Sequence, residues 1–188
     1  MKRIYHAIIH RIIRYTFKCK IFYCKHILNR VHYIGISNAQ LFANFFFQRI
    51  LGMNRAVPFS VSYTSKIQGF KNIVLPASAD SIKVSFAVSG GCYFSIFDNT
   101  TLEIGENTIW AYNVCIQTGN HDVKDREIMQ TKSVKIGKNC WIGNSSTILA
   151  GVELGDNVTI GANSVVTKSF PSNVVVAGCP AKIIRYIE

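Results

Sequence analysis

Of the five histidines in this chain, four lie within the first 32 residues and the fifth is His121. It sits in a polar run, QTGNHDVKDREIMQTKS, spanning 117–133. An imidazole with its ordinary pKa of ~6.5 can take a hydroxyl proton near neutrality. Such a base also needs a group to fix its tautomer. Asp122, Asp125 and Glu127 are near in sequence, a backbone carbonyl would serve equally, and chain proximity does not choose among them. Taken alone, a loop histidine is more often simply solvated.

Other reactive types are less pointed. Cys115 and Cys140 could be nucleophiles, but Cys140 falls at a small inward position of the repeat below, where core filling is the better account. Cys19, Cys24 and His26 match no standard zinc spacing and lack a fourth ligand, so no metal is expected. The six cysteines form no disulfide-like framework. Lys168, Lys182 and Arg185 are cations suited to phosphate, or else solvated surface charge. No Walker or dinucleotide fingerprint competes for a nucleotide.

What must position these residues is a repeat. Aliphatic side chains recur every six residues at Ile136, Ile142, Ile148, Leu154, Ile160 and Val166, with a small or β-branched residue two places before each, at Val134, Cys140, Ser146, Val152, Val158 and Ser164. Glycine follows four of them, at Gly137, Gly143, Gly155 and Gly161. Six matches neither helix nor simple strand periodicity. It suits very short strands joined by turns, three to a triangular coil of a parallel β-solenoid, with the aliphatic residue inward and the glycine easing the turn. The register is readable from Leu102 through Ile104, Trp110 and Ile116, stops at the 118–133 stretch, and resumes at Val134. Solenoids place such insertions as projecting loops, often at the binding face.

These hexads, with Trp141 in NCWIG, ILAGV at 148–152, VVTK at 165–168 and GCPAKIIR at 178–185, resemble the hexapeptide-repeat acyltransferases, in particular galactoside and maltose acetyltransferases and capsule or O-antigen O-acetyltransferases. The resemblance covers 102–185. It implies an all-β fold, a left-handed parallel β-helix, against the usual right-handed crossover rule. It implies acetyl-CoA as co-substrate and His121 as general base, with Trp141, Ala150, Gly151, Ala162, Thr167, Lys168, Lys182 and Arg185 along the coenzyme A site. A serine that follows the Trp-Ile-Gly run in that branch is replaced here by Asn144, whose amide could stand in as an oxyanion donor. An asparagine that binds acceptor in that branch would fall near Gly91, so Asn113 and Asp98 are taken as acceptor candidates. The family builds its sites between subunits of a homotrimer, which fits C₃ closure.

Charge divides the chain. The net charge is +11, yet residues 1–79 hold 12 Lys/Arg and no acid, while 80–188 hold 9 against 10. With 48% hydrophobic and 16% charged residues, the chain reads as a folded protein. Residues 1–56 are expected to form a basic amphipathic helical segment, with Ile4, Ile8, Ile12 and Ile13 at helical spacing. Asn38 would cap a second helix, 39–51, rich in phenylalanine and ended by Gly52. Residues 57–188 are the β-helix domain, with loop 118–133 and a C-terminal tail 170–188. Within it, the alternating Ile82, Val84, Phe86 and Val88 predict a strand. No secretory signal and no apolar run of ~20 residues is apparent, which gives a cytoplasmic expectation. The basic segment suits an anionic membrane surface or a helical cap on the solenoid; no nucleic-acid motif supports that partner.

The resulting expectation is an O-acetyltransferase acting on a sugar hydroxyl in surface-polysaccharide assembly. Its rivals are an N-acyltransferase on a nucleotide-linked amino sugar and a non-catalytic β-solenoid scaffold.

Overall fold

The computed structural model describes residue 33 and residues 35–188. The 1–32 segment, with its expected helix and with Cys19, Cys24 and His26, lies outside the described residues.

The chain winds through three parallel sheets, taking them in the order third, second, first. The first face stacks Lys66–Gln68, Tyr93–Ser95, Cys115–Gln117, Thr147–Ile148 and Val165–Val166. The second stacks Ile109–Trp110, Trp141–Ile142, Thr159–Ile160 and Val174–Gly178. The third stacks Ile73–Val74, Leu102–Ile104, Val134–Ile136 and Glu153–Leu154. Inward positions are the hexad aliphatics: Ile142, Ile148 and Val166 are wholly buried and Ile136, Leu154 and Ile160 nearly so. The small positions fill the remaining interior and bond within it. Ser146 and Ser164 hydroxyls donate to the Gly161 carbonyl at 2.9 and 2.6 Å, and Thr108 donates to Gly137 at 2.7 Å. Burial pushes the Cys140 and Cys115 thiols up in pKa, as packing residues rather than thiolates.

The glycines play a different part from the one expected. The left-handed turn positions belong to Asn107, Asn113, Asn139, Ser145, Asn157 and Asn163, with φ between 54° and 58°, and to Gly151 at 84°, none of them a glycine that follows a hexad aliphatic. Asparagine tolerates that region by bonding locally. Gly143 instead permits close stacking, since a methyl there would stand 2.6 Å from the Ile160 carbonyl oxygen of the next coil.

Residues 80–88 are a helix, not the expected strand. Alternation at 82, 84, 86 and 88 contains two four-residue spacings, and the nine-residue segment uses both. Ile82 and Phe86 enter the solenoid core, whereas Val84 and Val88 pack on a second cluster with Tyr33, Ile36 and Leu41. The helix occupies the second-face position below Ile109–Trp110. Its Ser89 hydroxyl donates to the Trp110 carbonyl at 2.7 Å, and its Ser85 hydroxyl accepts from the Trp110 N–H at 3.4 Å. These are the backbone groups a preceding strand would have paired.

Outside it lies the helix Asn38–Phe45, continued as a wider π turn over Phe46–Ile50. Ser37 rather than Asn38 caps it, accepting from the Gln40 N–H at 3.2 Å, because Ser37 is the extended residue and Asn38 already helical. Two buried amides tie this element down. Asn44 donates to the Ala87 carbonyl and accepts from Tyr63, and Gln48 donates to Val57 and Phe59.

At the other end the solenoid runs further than the expected tail boundary. Phe170 bridges Leu154 on the third face, and Val174–Gly178 is a further rung of the second. The corner from Val166 to Phe170 is two residues short of a hexad, which hid these rungs from a six-residue count. Ala181–Tyr186 then turns back antiparallel and covers that edge.

Ile160→Asp should abolish the native fold. An unpaired carboxylate buried between stacked neighbours costs several kcal/mol, against a total stability of ~5–15 kcal/mol. Far-ultraviolet circular dichroism of the soluble fraction checks this; a folded, cooperative variant would refute the inward register.

Candidate functional site

The 118–133 insertion is a hairpin at the corner between the first and third faces. Gly119–His121 pairs antiparallel with Met129–Thr131. Its foot is fixed by buried Thr118, whose hydroxyl oxygen accepts from the Phe97 N–H at 2.9 Å, and by the Lys132 N–H on the Thr118 carbonyl at 2.8 Å. The Phe97 ring lies so close to Gly119 that a methyl there would meet it at 2.6 Å.

His121 ends the outgoing strand, exposed to solvent. Its Nδ1 lies 2.7 Å from the Arg126 carbonyl oxygen. A carbonyl only accepts, so Nδ1 carries the proton, and in the neutral form of the ring the lone pair is on Nε2. The group holding the tautomer is thus a backbone carbonyl, and none of Asp122, Asp125 or Glu127 bonds the ring. Asp122 organises the tip instead. Its carboxylate accepts from the N–H groups of Lys124 at 2.8 Å and Asp125 at 3.1 Å and from the Gln130 amide at 3.2 Å. These bonds, from Lys124 and Asp125 foremost, hold its pKa below the usual aspartate range.

Beside the foot of the hairpin is a groove of about 460 Å³ lined by Gln68, Ser95, Phe97, Asp98, Asn99 and Thr131. Asp98 pairs with Lys71 at 3.1 Å at its exposed rim. Aromatic, amide, hydroxyl and carboxylate groups around one opening suit a polyhydroxylated molecule.

The remaining candidates divide between two edges of the first face. Ala150, Gly151, Thr167 and Lys168 leave from the same corner as His121 and Asp98, on successive coils. The Lys132 side chain reaches Gly151, where a methyl would stand 3.0 Å from Cδ. Asn113, Asn144 and Ala162 leave from the opposite corner, between the second and first faces. There the coils stack through Ser145 N–H to Tyr112 and Asn163 N–H to Asn144. Trp141 stands 53% exposed on the adjoining second face, and Lys182 and Arg185 lie on the antiparallel strand that edges it. The two groups thus lie on opposite edges of the first face.

The family model for the bacterial transferase hexapeptide (six repeats) matches residues 133–168. The chain is 43% identical over 98 residues to the galactoside O-acetyltransferase of Escherichia coli K12, covering 50% of this chain and 48% of that protein. It is 35% identical over 122 residues to the putative colanic acid biosynthesis acetyltransferase WcaF of the same strain, covering 61% and 66%. A maltose O-acetyltransferase from Clostridium difficile 630 is 34% identical across 66% of this chain and 67% of its own, with a TM-score of 0.46. Residues 133–168 thus carry the hexapeptide repeat of that transferase family.

The coil built by these repeats is the left-handed parallel β-helix. The chain spans about half the length of the first curated relatives, 48% and 47% of each. Two features of the site escaped the sequence. The Arg126 carbonyl has no side-chain signature at all. The division into two corners was readable in principle, because residues one coil apart differ by 18, as Asn144 and Ala162 or Lys132, Ala150 and Lys168 do.

Because the Asp122 pKa is depressed on folding, its turn should be intact above the unfolded value of ~3.9 and be lost only as pH falls through the lower folded value. The Lys124 and Asp125 amide resonances report this, with a shared midpoint below ~3.9. A midpoint at or above that value would show the carboxylate to be free.

Proposed function

We propose that this protein transfers an acetyl group from acetyl-CoA to a hydroxyl of a sugar in the assembly of a surface polysaccharide. The observation that carries the reading is His121, exposed on a projecting hairpin with Nδ1 bound to a carbonyl and Nε2 open, beside a polar groove at the hairpin's foot. The names of the similar proteins, which act on galactosides or maltose or are assigned to colanic acid biosynthesis, support the acceptor class.

His121 Nε2 takes the proton of the acceptor hydroxyl as its oxygen attacks the thioester carbonyl, and the thiolate leaves without any acyl-enzyme. Asp98 and the groove amides orient the sugar. Asn144 donates its amide to the developing oxyanion. The coenzyme lies along the coils by Trp141, Ala150, Gly151 and Ala162, with its phosphates toward Thr167, Lys168, Lys182 and Arg185.

A homotrimer is part of this reading, because one chain carries the two groups of site residues on opposite edges of its first face. Facing corners of neighbouring copies would unite them, and a C₃ arrangement closes. His121→Ala should lower turnover ~10²–10⁴-fold while coenzyme A binding persists. A variant with more than about a tenth of wild-type turnover would place the base elsewhere. Mixing inactive His121→Ala with a Trp141→Ala, Asn144→Ala double variant should restore about a quarter of the sites if each uses two copies. No recovery after subunit exchange, or a fully active monomer by light scattering, would overturn the shared site.

The third component is an anionic membrane, placing the protein at the inner face of the cytoplasmic membrane. Residues 1–79 supply 12 Lys/Arg without an acid, and Phe42, Phe45, Ile50 and Leu51 are each more than half exposed on the outer helix. Vesicles of phosphatidylglycerol and phosphatidylcholine should sediment the full chain in proportion to their anionic fraction. Binding should fall with salt as the screening length shortens toward ~8 Å. Protein left in the supernatant at low salt with wholly anionic vesicles would end the membrane reading.

A further inference from the structure

We propose that Asp122 is a positioning residue for His121: it folds the hairpin tip so that the Arg126 carbonyl holds Nδ1–H and leaves Nε2 free. The proposal rests on the acyltransferase reading above.

The bond that fixes the ring comes from a backbone carbonyl, so no side-chain change at 126 removes it directly. It is lost only if the turn relaxes. Apolar packing does little to hold that turn, since Val123 is 80% exposed and Ile128 50% exposed. Hydrogen bonds hold it, and they converge on Asp122. Its Oδ1 accepts from the N–H groups of Lys124 and Asp125, and its Oδ2 from the Gln130 side chain on the returning strand. Its own carbonyl accepts from the Arg126 guanidinium at 3.0 Å, and its N–H donates to Ile128 at 2.9 Å. Asp122 thereby grips the residues on both sides of Arg126 and Arg126 itself. Asp125 contributes two further bonds, its carboxylate accepting from the Glu127 N–H at 3.0 Å and its carbonyl from the Ile128 N–H at 3.2 Å. The ring nitrogen and the carboxylate belong to adjacent residues, but the carboxylate acts on the ring only through the turn.

The chemistry separates two substitutions. An aspartate at this point makes an Asx turn, which asparagine reproduces through its own Oδ1. Alanine has no acceptor to offer. Asp122→Asn should therefore keep the tip folded, with Gln130 turning its carbonyl toward the new amide, and Asp122→Ala should release it.

The test uses the full chain and two readouts. In steady-state transfer, Asp122→Ala should lower kcat about 10–100-fold, the penalty of a misplaced catalytic group, with KM for acetyl-CoA unchanged. Asp122→Asn should stay near wild type. Multiple-bond ¹⁵N–¹H spectra of the imidazole, assigned by difference from His121→Ala, should show Nδ1–H in wild type and Asp122→Asn. In Asp122→Ala they should show a shift toward Nε2–H. Wild-type kcat in Asp122→Ala, an unshifted tautomer there, or equal losses in Asn and Ala would each overturn the proposal. Full turnover in His121→Ala would sink the acyltransferase site instead, and the tautomer would still decide what Asp122 does.

Discussion

Everything in this molecule depends on aliphatic side chains stacking directly above one another at six-residue intervals. Each coil offers three such side chains, too few to bury themselves, and only the coils on either side complete their contacts. That requirement fixes the rest. The coils must approach so closely that Gly143 admits no methyl. A regular corner must turn within four residues, which a residue at positive φ achieves, mostly asparagine and in two places Ser145 and Gly151. The small interior positions must be apolar, or serine and threonine whose hydroxyls find a carbonyl. The candidate functional side chains are therefore confined to corners and outward positions, where the stack imposes nothing.

The sequence was most legible where this constraint is strictest. From Val134 to Val166 inward residues, small residues and coil boundaries all fall where the period places them. It was misread where the chain leaves the period. In residues 80–88 the spacing of Ile82 and Phe86 serves helix and strand alike, and only the partner on each side decides. Beyond Val166 a shortened corner concealed two genuine rungs, at Phe170 and Val176. The glycines were noticed for the right positions and the wrong reason, because a pattern reveals where a side chain is missing and not what it would have struck.

The site was legible to the extent that it consists of side chains. His121 stood out as a lone imidazole in an interrupted repeat. Its tautomer is set by a peptide carbonyl, which every residue possesses and no sequence can flag. The groove at the hairpin foot draws Gln68, Ser95 and Thr131 from three separated segments, and the sequence contains no cue that joins them. Asp98 was singled out and lines that groove, whereas Asn113 belongs to the opposite corner.

The stacked coils also act as a ruler. The hairpin bearing His121 leaves from the rung Cys115–Gln117, and Thr167 and Lys168 follow the rung Val165–Val166, two steps along the first face. With strands ~4.8 Å apart, that offset is about 10 Å parallel to the axis. A molecule bound lengthwise thus meets its successive contacts at distances graduated by the hydrogen-bond spacing of the backbone. The length of ligand such a scaffold accepts is set by how many coils separate two corners, so inserting or deleting a single coil would change it in one fixed increment.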